Sequence, residues 1–207
     1  MGLYSEMATQ QNSPQVLVAG AGPTGLVLAL ELARRGISLR IIDKKPGPAK
    51  ESRAMAVQAR TLEFYQQLGF GDEMAAQGIK TGRVHYRRHG RDIATFSFHN
   101  IGEGLSPYPY VLAYPQDDHE RFLIEKLKAL GVNVEWNVEL IDFRTDHKSV
   151  HTKLRIQDGQ EEAEFAYLCG CDGAHSHSRP PGLDDRRRFR IVGERDPHRS
   201  NGARYNT

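Results

Sequence analysis

The chain has 207 residues, which suffice for one sizeable domain or for one domain and part of another. Its formal net charge is +2 at pH 7, so charge gives no general argument for a nucleic-acid or membrane partner. No apolar run approaches the roughly 20 residues that span a bilayer. We therefore expect neither a membrane-bound nor a nucleic-acid-binding protein.

The chain opens with a polar segment, residues 1–14, which lacks the basic and then apolar layout of a signal peptide. We predict a disordered lead-in there. An apolar run at Val16–Ala19 then predicts a buried parallel strand. Apolar residues at helical spacing predict the following helix, with Gly36 just beyond its end. Residues 39–42 predict a second strand, which completes a strand–helix–strand unit.

The turn between the first strand and the helix has the sequence Gly20-Ala21-Gly22-Pro23-Thr24-Gly25, the G-x-G-x-x-G pattern of a dinucleotide site. Gly20 allows a tight turn, Gly22 lets a pyrophosphate approach the backbone, and Gly25 lets helix and strand pack closely. Pro23 suits the first helical turn, where its missing N–H costs nothing. The N–H groups of that turn then face the phosphates.

Asp43 lies 23 residues after Gly20, where an acid accepts hydrogen bonds from the adenosine ribose. Lys44, which follows it, is also predicted to bind the cofactor. The alternative is a glycine-rich turn of an ordinary strand–helix–strand unit without a ligand. The complete strand–turn–helix–strand–acid context favours a dinucleotide site.

In the middle of the chain, residues 54–68 predict a helix that ends at Gly69, and residues 72–77 predict a shorter one. Alternating residues from 80 to 98, with a turn at Arg88–Arg91, predict a β-hairpin inserted near 80–110. Core packing is the predicted role of five aromatic residues, and a pocket lining is the alternative. These residues are Tyr86, Phe96, Phe98, Tyr108 and Tyr110.

Residues 117–130 predict a helix with Asp117 and Glu120 as a reciprocal capping pair and Gly131 as its stop. Strands at 132–136, 140–145 and 150–156 are predicted to form a β-meander. A fourth strand at 165–171 is predicted to return to the parallel sheet, with Asp172-Gly173 at its end.

The two cysteines, Cys169 and Cys171, are too close for an ordinary disulfide and do not form a C-x-x-C motif. We interpret them as small apolar residues in a strand, and we expect a reduced, cytoplasmic protein. The histidines show no metal-like spacing, so no metal site is predicted.

The composition changes after residue 178. Residues 179–207 hold eight arginines and four acids, a net charge of +4, so we predict a basic, disordered tail over 180–207. A nucleic-acid contact through Arg186–Arg190 is a weak alternative because charge runs are usually solvated. The abrupt change also suggests a truncated or frame-shifted end.

Four segments in order resemble the class A flavoprotein aromatic hydroxylases, the family of para-hydroxybenzoate and phenol hydroxylases. The first is the Gly20–Gly25 turn with Asp43, and the second is Ser52-Arg53-Ala54 leading into Arg60–Glu63. The third is Pro115-Gln116-Asp117. The fourth runs from Cys171 to Arg179 and contains Asp-Gly-x-x-Ser-x-x-Arg. Together they cover about residues 15–179, which we predict to be an FAD-binding domain with part of the substrate-side sheet.

The resemblance implies that the cofactor is FAD rather than NAD. It places Arg53 at the pyrophosphate and Gln116 along the ribityl side of FAD. It places Asp172 and Gly173 beside FAD and the nicotinamide donor. NAD(P)H would then be the transient electron donor, and O₂ and a small aromatic compound the substrates. The sequence leaves the aromatic substrate, the choice of NADH or NADPH, the residues that carry the chemistry and the oligomeric state open.

The expected fold is α/β, a Rossmann-like FAD-binding βαβ domain with a parallel sheet, an inserted hairpin and a meander. The family is about twice as long, so we expect this fold to be incomplete. The predicted function is FAD-dependent monooxygenation, with this chain as an N-terminal fragment. One alternative is a truncated FAD-binding fragment without activity, and another is an NAD-dependent dehydrogenase.

Overall fold

A computed structural model describes residues 14–49, 56–98, 102–146 and 148–173, together with the backbone of residues 190–193. Nearly all of the predicted lead-in and most of the basic tail lie outside this range. Arg53 lies outside it as well, and so does the segment 174–179.

The chain alternates short strands with four helices in the described residues. The strands are β1 (Val16–Ala19), β2 (Leu39–Asp43), β3 (Ala56–Val57), β4 (Ile79–Thr81), β5 (Arg83–Arg88), β6 (Arg91–Ser97), β7 (Val111–Ala113), β8 (Val134–Trp136), β9 (Glu139–Thr145), β10 (Val150–Ile156), β11 (Gly159–Phe165), β12 (Tyr167–Gly170) and β13 (Arg190–Gly193). The helices are α1 (Pro23–Ala33), α2 (Ala59–Gln67), α3 (Gly71–Gln77) and α4 (Gln116–Ala129).

The described residues divide into two compact units. The first unit comprises the described parts of Met1–Gly47 and Ile124–Thr207, and the second comprises those of Pro48–Leu123. The segment near 80–110, predicted as an insertion, falls in the second unit. None of the helices described is long and apolar enough to cross a membrane.

A five-stranded sheet in the order β13-β12-β1-β2-β8 forms the centre of the first unit. β1 pairs in parallel with both β12 and β2, and β2 pairs in parallel with β8. All four residues of β1 are buried, as expected for a parallel strand covered on both faces. The predicted α/β class with a parallel sheet is confirmed.

The meander of the first unit consists of β9, β10 and β11 in antiparallel order. Its inner face packs on one face of the parallel sheet, where Leu154 and Phe165 join Leu17, Ile42 and Leu168 in one apolar cluster. Two predictions are corrected here. The strand at 132–136 lies beside β2 in the parallel sheet, and the third strand of the meander is β11, which the sequence pattern did not indicate. β11 has one solvated face and a polar sequence, so it lacks an apolar run.

A cluster of three partly exposed charged side chains ties the meander to the parallel sheet. The Arg40 guanidinium donates to both oxygens of Glu135 at 2.8 and 2.7 Å, and to Glu161 Oε1 at 2.6 Å. Arg40 is on β2, Glu135 on β8 and Glu161 on β11. The hydrogen bond from Arg40 lowers the pKa of the Glu161 carboxyl below its usual range.

We expect Arg40→Gln to reduce the free energy of unfolding by about 1–2 kcal/mol, since all three side chains are partly solvated. Urea titration of the variant against the parent chain measures this. Because the folded pKa of Glu161 is depressed, the contribution is complete above about pH 4.3 and is lost as pH falls further. Arg155→Gln, which removes an exposed pair with Glu139, is the control with an expected change near zero. Equal losses of unfolding free energy in the two variants would contradict the assigned role of Arg40.

The second unit packs α2 and α3 around an aromatic cluster. The rings of Tyr65, Phe70 and Phe122 follow one another at centroid distances of 5.3 and 5.5 Å. Tyr65 Oη lies 2.8 Å from His119 Nε2. Burial raises the pKa of Tyr65 and lowers that of His119, so the hydrogen bond joins a neutral phenol and a neutral imidazole. Gly69, at φ +88°, ends α2 as predicted.

The neutral state of His119 makes stability depend on pH. The unfolded chain binds the proton at about pH 6.5 and the folded chain only at lower pH, so acidification favours the unfolded state. We expect the parent chain to lose more stability than His119→Gln between pH 7 and 5, by at most about 1.4 kcal/mol per pH unit. Chemical denaturation across this pH range measures the difference. Parallel pH curves for the two chains would show that His119 is not buried as a neutral group.

The second unit departs from prediction at one helix boundary and at two aromatic residues. The helix predicted over 54–68 begins at Ala59, because Val57 pairs with Leu112 in the three-stranded sheet β3-β7-β4. The hairpin β5–β6 is confirmed, with positive φ at both His89 and Gly90 in its turn. Its residues Tyr86 and Phe96 are 63% and 57% exposed, so the predicted core role is wrong for them.

Tyr108 is buried, as predicted for a core residue, and its hydroxyl donates to Gln66 and Asp72 at 2.9 and 2.8 Å. Tyr110 is half-buried, and Lys80 Nζ lies 4.8 Å from the centre of its ring. Tyr108 is therefore part of the packing of the second unit.

Candidate nucleotide-binding site

The glycine turn connects the carboxyl end of β1 to the amino end of α1. Gly22 is the N-cap residue, Pro23 is the first helical residue, and the first helical hydrogen bond runs from Leu26 N to Gly22 O at 2.9 Å. No side chain in the described residues caps this end, and no acidic residue lies in the first turn. The N–H groups of the first turn and the positive end of the helix dipole are thus available to an anion.

The three glycines of the turn are required for different reasons. Gly20 has φ +114°, and a Cβ there would lie 2.4 Å from the Cys171 carbonyl oxygen. A Cβ on Gly25 would lie 1.9 Å from the Gly20 carbonyl oxygen. Packing of the chain on itself therefore requires glycine at these two positions.

Gly22 differs from both, because nothing in the fold requires a glycine there. Its φ is −76°, which any residue adopts, and no described atom lies within 4 Å of the place where its Cβ would be. A side chain at this position would project into the open space beside the start of α1. An open backbone next to free N–H donors is the arrangement that a pyrophosphate needs.

Asp43 joins the glycine turn to the end of β2. It is 8% exposed, and its Oδ2 accepts a hydrogen bond from Ala21 N at 2.8 Å. Its Oδ1 accepts one from Lys45 N at 2.9 Å. A carboxylate offers about four acceptor positions, so ribose hydroxyls can still donate to Asp43. Lys44 is exposed directly after it.

The Asp-Gly segment follows β12, the neighbour of β1. Cys171 N donates to Ala19 O at 2.7 Å, which holds Cys171 against the turn, and Asp172 and Gly173 come next. Gly173 has φ +80°. Burial raises the pKa of Cys169 to about 11 and that of Cys171 to about 12, so both remain thiols. Both are free, in agreement with the interpretation as small packing residues.

Gln116 belongs to the second unit, where it begins α4. Its Nε2 donates to Glu120 Oε1 at 2.9 Å. Glu120 is 1% exposed, and its Oε2 accepts a hydrogen bond from Ala49 N at 2.9 Å. The predicted capping pair is therefore wrong, since Glu120 contacts Gln116 and Ala49. Asp117 pairs with Arg121.

The structure brings together seven of the predicted site residues in the first unit. These are Gly20, Gly22, Pro23, Gly25, Asp43 and, through Cys171, the segment of Asp172 and Gly173. Arg53 lies outside the described residues. Histidine, cysteine, aspartate and glutamate form no group of three or more suited to a metal ion in the part of the chain that is described.

Comparison with known proteins identifies the nucleotide. Residues 13–183 match the model of a family described as the FAD binding domain. The chain belongs to this FAD-binding domain family. The uncapped start of α1, the open space at Gly22 and the acid at the end of β2 fit the ADP half of FAD. The family match favours FAD over NAD as the dinucleotide.

Several proteins similar to this chain are named as monooxygenases or hydroxylases. It is 40% identical over 190 residues to 6-methylpretetramide 4-monooxygenase from Streptomyces rimosus, a match that covers 91% of this chain and 33% of that protein. The structure of p-nitrophenol 4-monooxygenase from Pseudomonas putida DLL-E4 superposes with a TM-score of 0.74 at 25% identity, over 79% of this chain and 42% of that one.

Aklavinone-11 hydroxylase, solved as a ternary complex with FAD and aklavinone, superposes with a TM-score of 0.71 at 28% identity. This match covers 78% of the present chain and 33% of the hydroxylase. The chain thus spans about a third of the length of its curated relative and a third to two fifths of the two solved chains. Its resemblance to the aromatic hydroxylases is confirmed for this part.

Two residues of interest were not predicted as part of a site. Glu120 shares a helical face with Leu123 and Leu127. An acidic residue within an apolar stripe indicates a buried carboxyl group that has a hydrogen-bond partner. Trp136 ends β8 beside Asp43. Its position depends on the pairing of β2 with β8, which local sequence patterns do not specify.

Proposed function

We propose that this chain binds FAD by its ADP half at the Gly20–Gly25 turn and serves in the hydroxylation of a small aromatic substrate. The observation that carries the proposal is the contrast between the glycines. Gly20 and Gly25 are required by the chain's own packing, whereas the glycine at 22 leaves room for a ligand beside free helix N–H groups.

Each predicted site residue has a proposed task. The backbone around Gly22 and Pro23 binds the pyrophosphate, and Asp43 accepts hydrogen bonds from the adenosine ribose. Lys44 adds a positive charge at the nucleotide, and Arg53 a guanidinium suited to phosphate oxygens. Asp172 and Gly173 contact FAD near the place where the nicotinamide donor acts. These assignments rest on the family resemblance and on the geometry of the first unit.

Gln116 is proposed to contact the ribityl side of FAD, as the resemblance implies. The contact from its Nε2 to the buried Glu120 supports this role, because it fixes the rotation of the amide group. Since Glu120 also accepts from Ala49 N, the same carboxyl restrains the loop that follows Lys45.

The proposed reaction consumes NAD(P)H, a proton and O₂, and yields a hydroxylated aromatic product, water and NAD(P)⁺. Bound FAD supplies the electron-transfer and oxygen chemistry, and the protein positions FAD and excludes water. The names of the three related proteins support an aromatic substrate. The free thiols support a reduced, cytoplasmic location.

A second candidate function is FAD binding without turnover, because the described residues supply a site for the ADP half of the nucleotide and none of them is assigned to the hydroxylation step. The two candidates differ in what happens to reducing equivalents. A hydroxylase couples NAD(P)H oxidation to product, whereas an FAD-binding chain without a closed site oxidises no NAD(P)H or releases peroxide.

To test the two candidates, the purified chain is saturated with FAD and unbound FAD is removed. NADH or NADPH oxidation is followed with p-nitrophenol and other phenols, and hydroxylated product and hydrogen peroxide are both quantified. We expect about one FAD per chain and product formation that depends on the aromatic compound. FAD retention without product would support the second candidate, and the absence of FAD binding would contradict both.

A further inference from the structure

Trp136 is the only tryptophan of the chain, and it lies at the carboxyl end of β8. β8 is an outer strand of the described parallel sheet, next to β2. The Cα register pairs Trp136 directly with Asp43. In open α/β sheets, ligands bind outside the carboxyl ends of the strands, which is where both residues lie.

The two side chains lie on the same face of the sheet. Arg40 and Ile42 on β2 share the opposite face, since Ile42 packs in the cluster with the meander and Arg40 contacts Glu161 of β11. Glu135, the register partner of Ile42, binds Arg40 on that face. Side chains alternate along a strand, so Asp43 and Trp136 both belong to the other face.

Backbone hydrogen bonds fix Trp136 beside the end of β2. Asn137 N donates to Lys45 O at 3.0 Å, and Val138 N donates to Asp43 O at 3.1 Å. Asn137 has φ +59°, which ends β8 and turns the chain directly after the tryptophan. The indole is neither in the buried core nor among the large exposed apolar side chains, so it is half-buried at the edge of the candidate site.

We propose that Trp136 stacks against the adenine of FAD and contributes to the affinity of the chain for the nucleotide. This inference rests on the proposed function, in which Asp43 binds the adenosine ribose. Adenine is attached directly to that ribose, and neighbouring strands lie about 4.8 Å apart. A ribose at Asp43 therefore places its base within reach of the indole, whose flat apolar face suits base stacking.

The deciding measurement is the FAD dissociation constant of the parent chain, Trp136→Phe, Trp136→Leu and Tyr167→Leu, from flavin fluorescence and absorbance. We expect Trp136→Leu to bind FAD about 5- to 150-fold more weakly, the range for loss of one base–aromatic stack. Trp136→Phe retains an aromatic face and should lose less affinity for FAD. Tyr167 is the control, an exposed aromatic residue at the amino end of β12 in the same sheet.

A second readout needs no variant. ADP contains the adenine and ribose, and neither ADP nor tyrosine absorbs appreciably at the long-wavelength edge of tryptophan absorption. With excitation at that edge, its titration into the flavin-free parent chain reports on Trp136, the only tryptophan. We expect saturable quenching of the tryptophan fluorescence. Thermal melts of the variants separate loss of affinity from loss of folding.

The outcomes separate the inference from the function on which it rests. Suppose that the parent chain binds FAD and that the folded Trp136→Leu variant has an FAD dissociation constant within twofold of the parent value. The stacking role is then wrong and the proposed function stands. If the parent chain binds no FAD, the proposed function fails and the stacking role fails with it. Weaker binding by Trp136→Leu alone, with Tyr167→Leu unchanged, supports the inference.

Discussion

Gly25→Ala is expected to destabilise the chain severely, whereas Gly22→Ala is expected to fold and to lose FAD binding. A Cβ on Gly25 would lie 1.9 Å from the Gly20 carbonyl oxygen, so β1 and α1 could not pack together. The expected loss is at least about 3 kcal/mol, at the upper end for single substitutions.

The opposite result at Gly22 follows from its surroundings. The new methyl group meets no described atom of the protein and costs less than about 1 kcal/mol as an N-cap change. It would, however, occupy the space proposed for the pyrophosphate. Loss of two charge-assisted hydrogen bonds corresponds to roughly 3 kcal/mol, or about a 100-fold weaker complex.

Circular dichroism melts and FAD titrations of the two variants measure these effects. Each variant is the control of the other, because the same methyl group is added in the same turn. If Gly22→Ala binds FAD as tightly as the parent chain, the pyrophosphate does not lie at this backbone. If Gly25→Ala melts at the same temperature as the parent, the packing derived for the turn is wrong.

Asp43→Asn is expected to weaken both the fold and the nucleotide site. The carboxyl accepts one backbone N–H on each oxygen, from Ala21 and Lys45, in a position that is 8% exposed. An amide has a single acceptor oxygen, so its NH₂ group would face one of these N–H donors. We expect a loss of about 1.5–3 kcal/mol, the range for hydrogen bonds to a charged group.

The FAD affinity of Asp43→Asn should fall as well, since Asp43 positions Ala21 within the turn and is the proposed ribose acceptor. Urea denaturation and FAD titration measure the two effects separately. Asp142→Asn is the matched control, because Asp142 is exposed on the meander and contacts only the adjacent Phe143 N among its described hydrogen bonds. If Asp43→Asn reduced stability and FAD affinity no more than Asp142→Asn does, the role assigned to the buried carboxyl would be contradicted.

The nucleotide turn could be predicted from sequence because its determinants are local. Gly20, Gly22 and Gly25 lie within one turn, and the apolar runs before and after it specify strand and helix directly. Even so, the sequence could not distinguish Gly22 from the other two glycines. For Gly20, that distinction depends on Cys171, which β12 brings beside β1 from the far part of the chain.

The residues that were missed owe their positions to contacts between distant segments. Glu120 has the spacing of a capping residue, yet its oxygen accepts from Ala49 N, 71 positions away in the sequence. Trp136 reaches Asp43 only through the parallel pairing of β8 with β2. β11 was missed for a different reason, because its solvated face leaves no apolar run to detect.

Displacement of FAD by ADP and by FMN tests the location of the site most directly. In the parent chain we expect one FAD per chain, competition by ADP, and no competition by FMN at the same concentration, because we propose that the first unit binds the adenosine and pyrophosphate. FAD binding that FMN displaces and ADP does not, or that Gly22→Ala leaves unchanged, would contradict a nucleotide site at the Gly20–Gly25 turn.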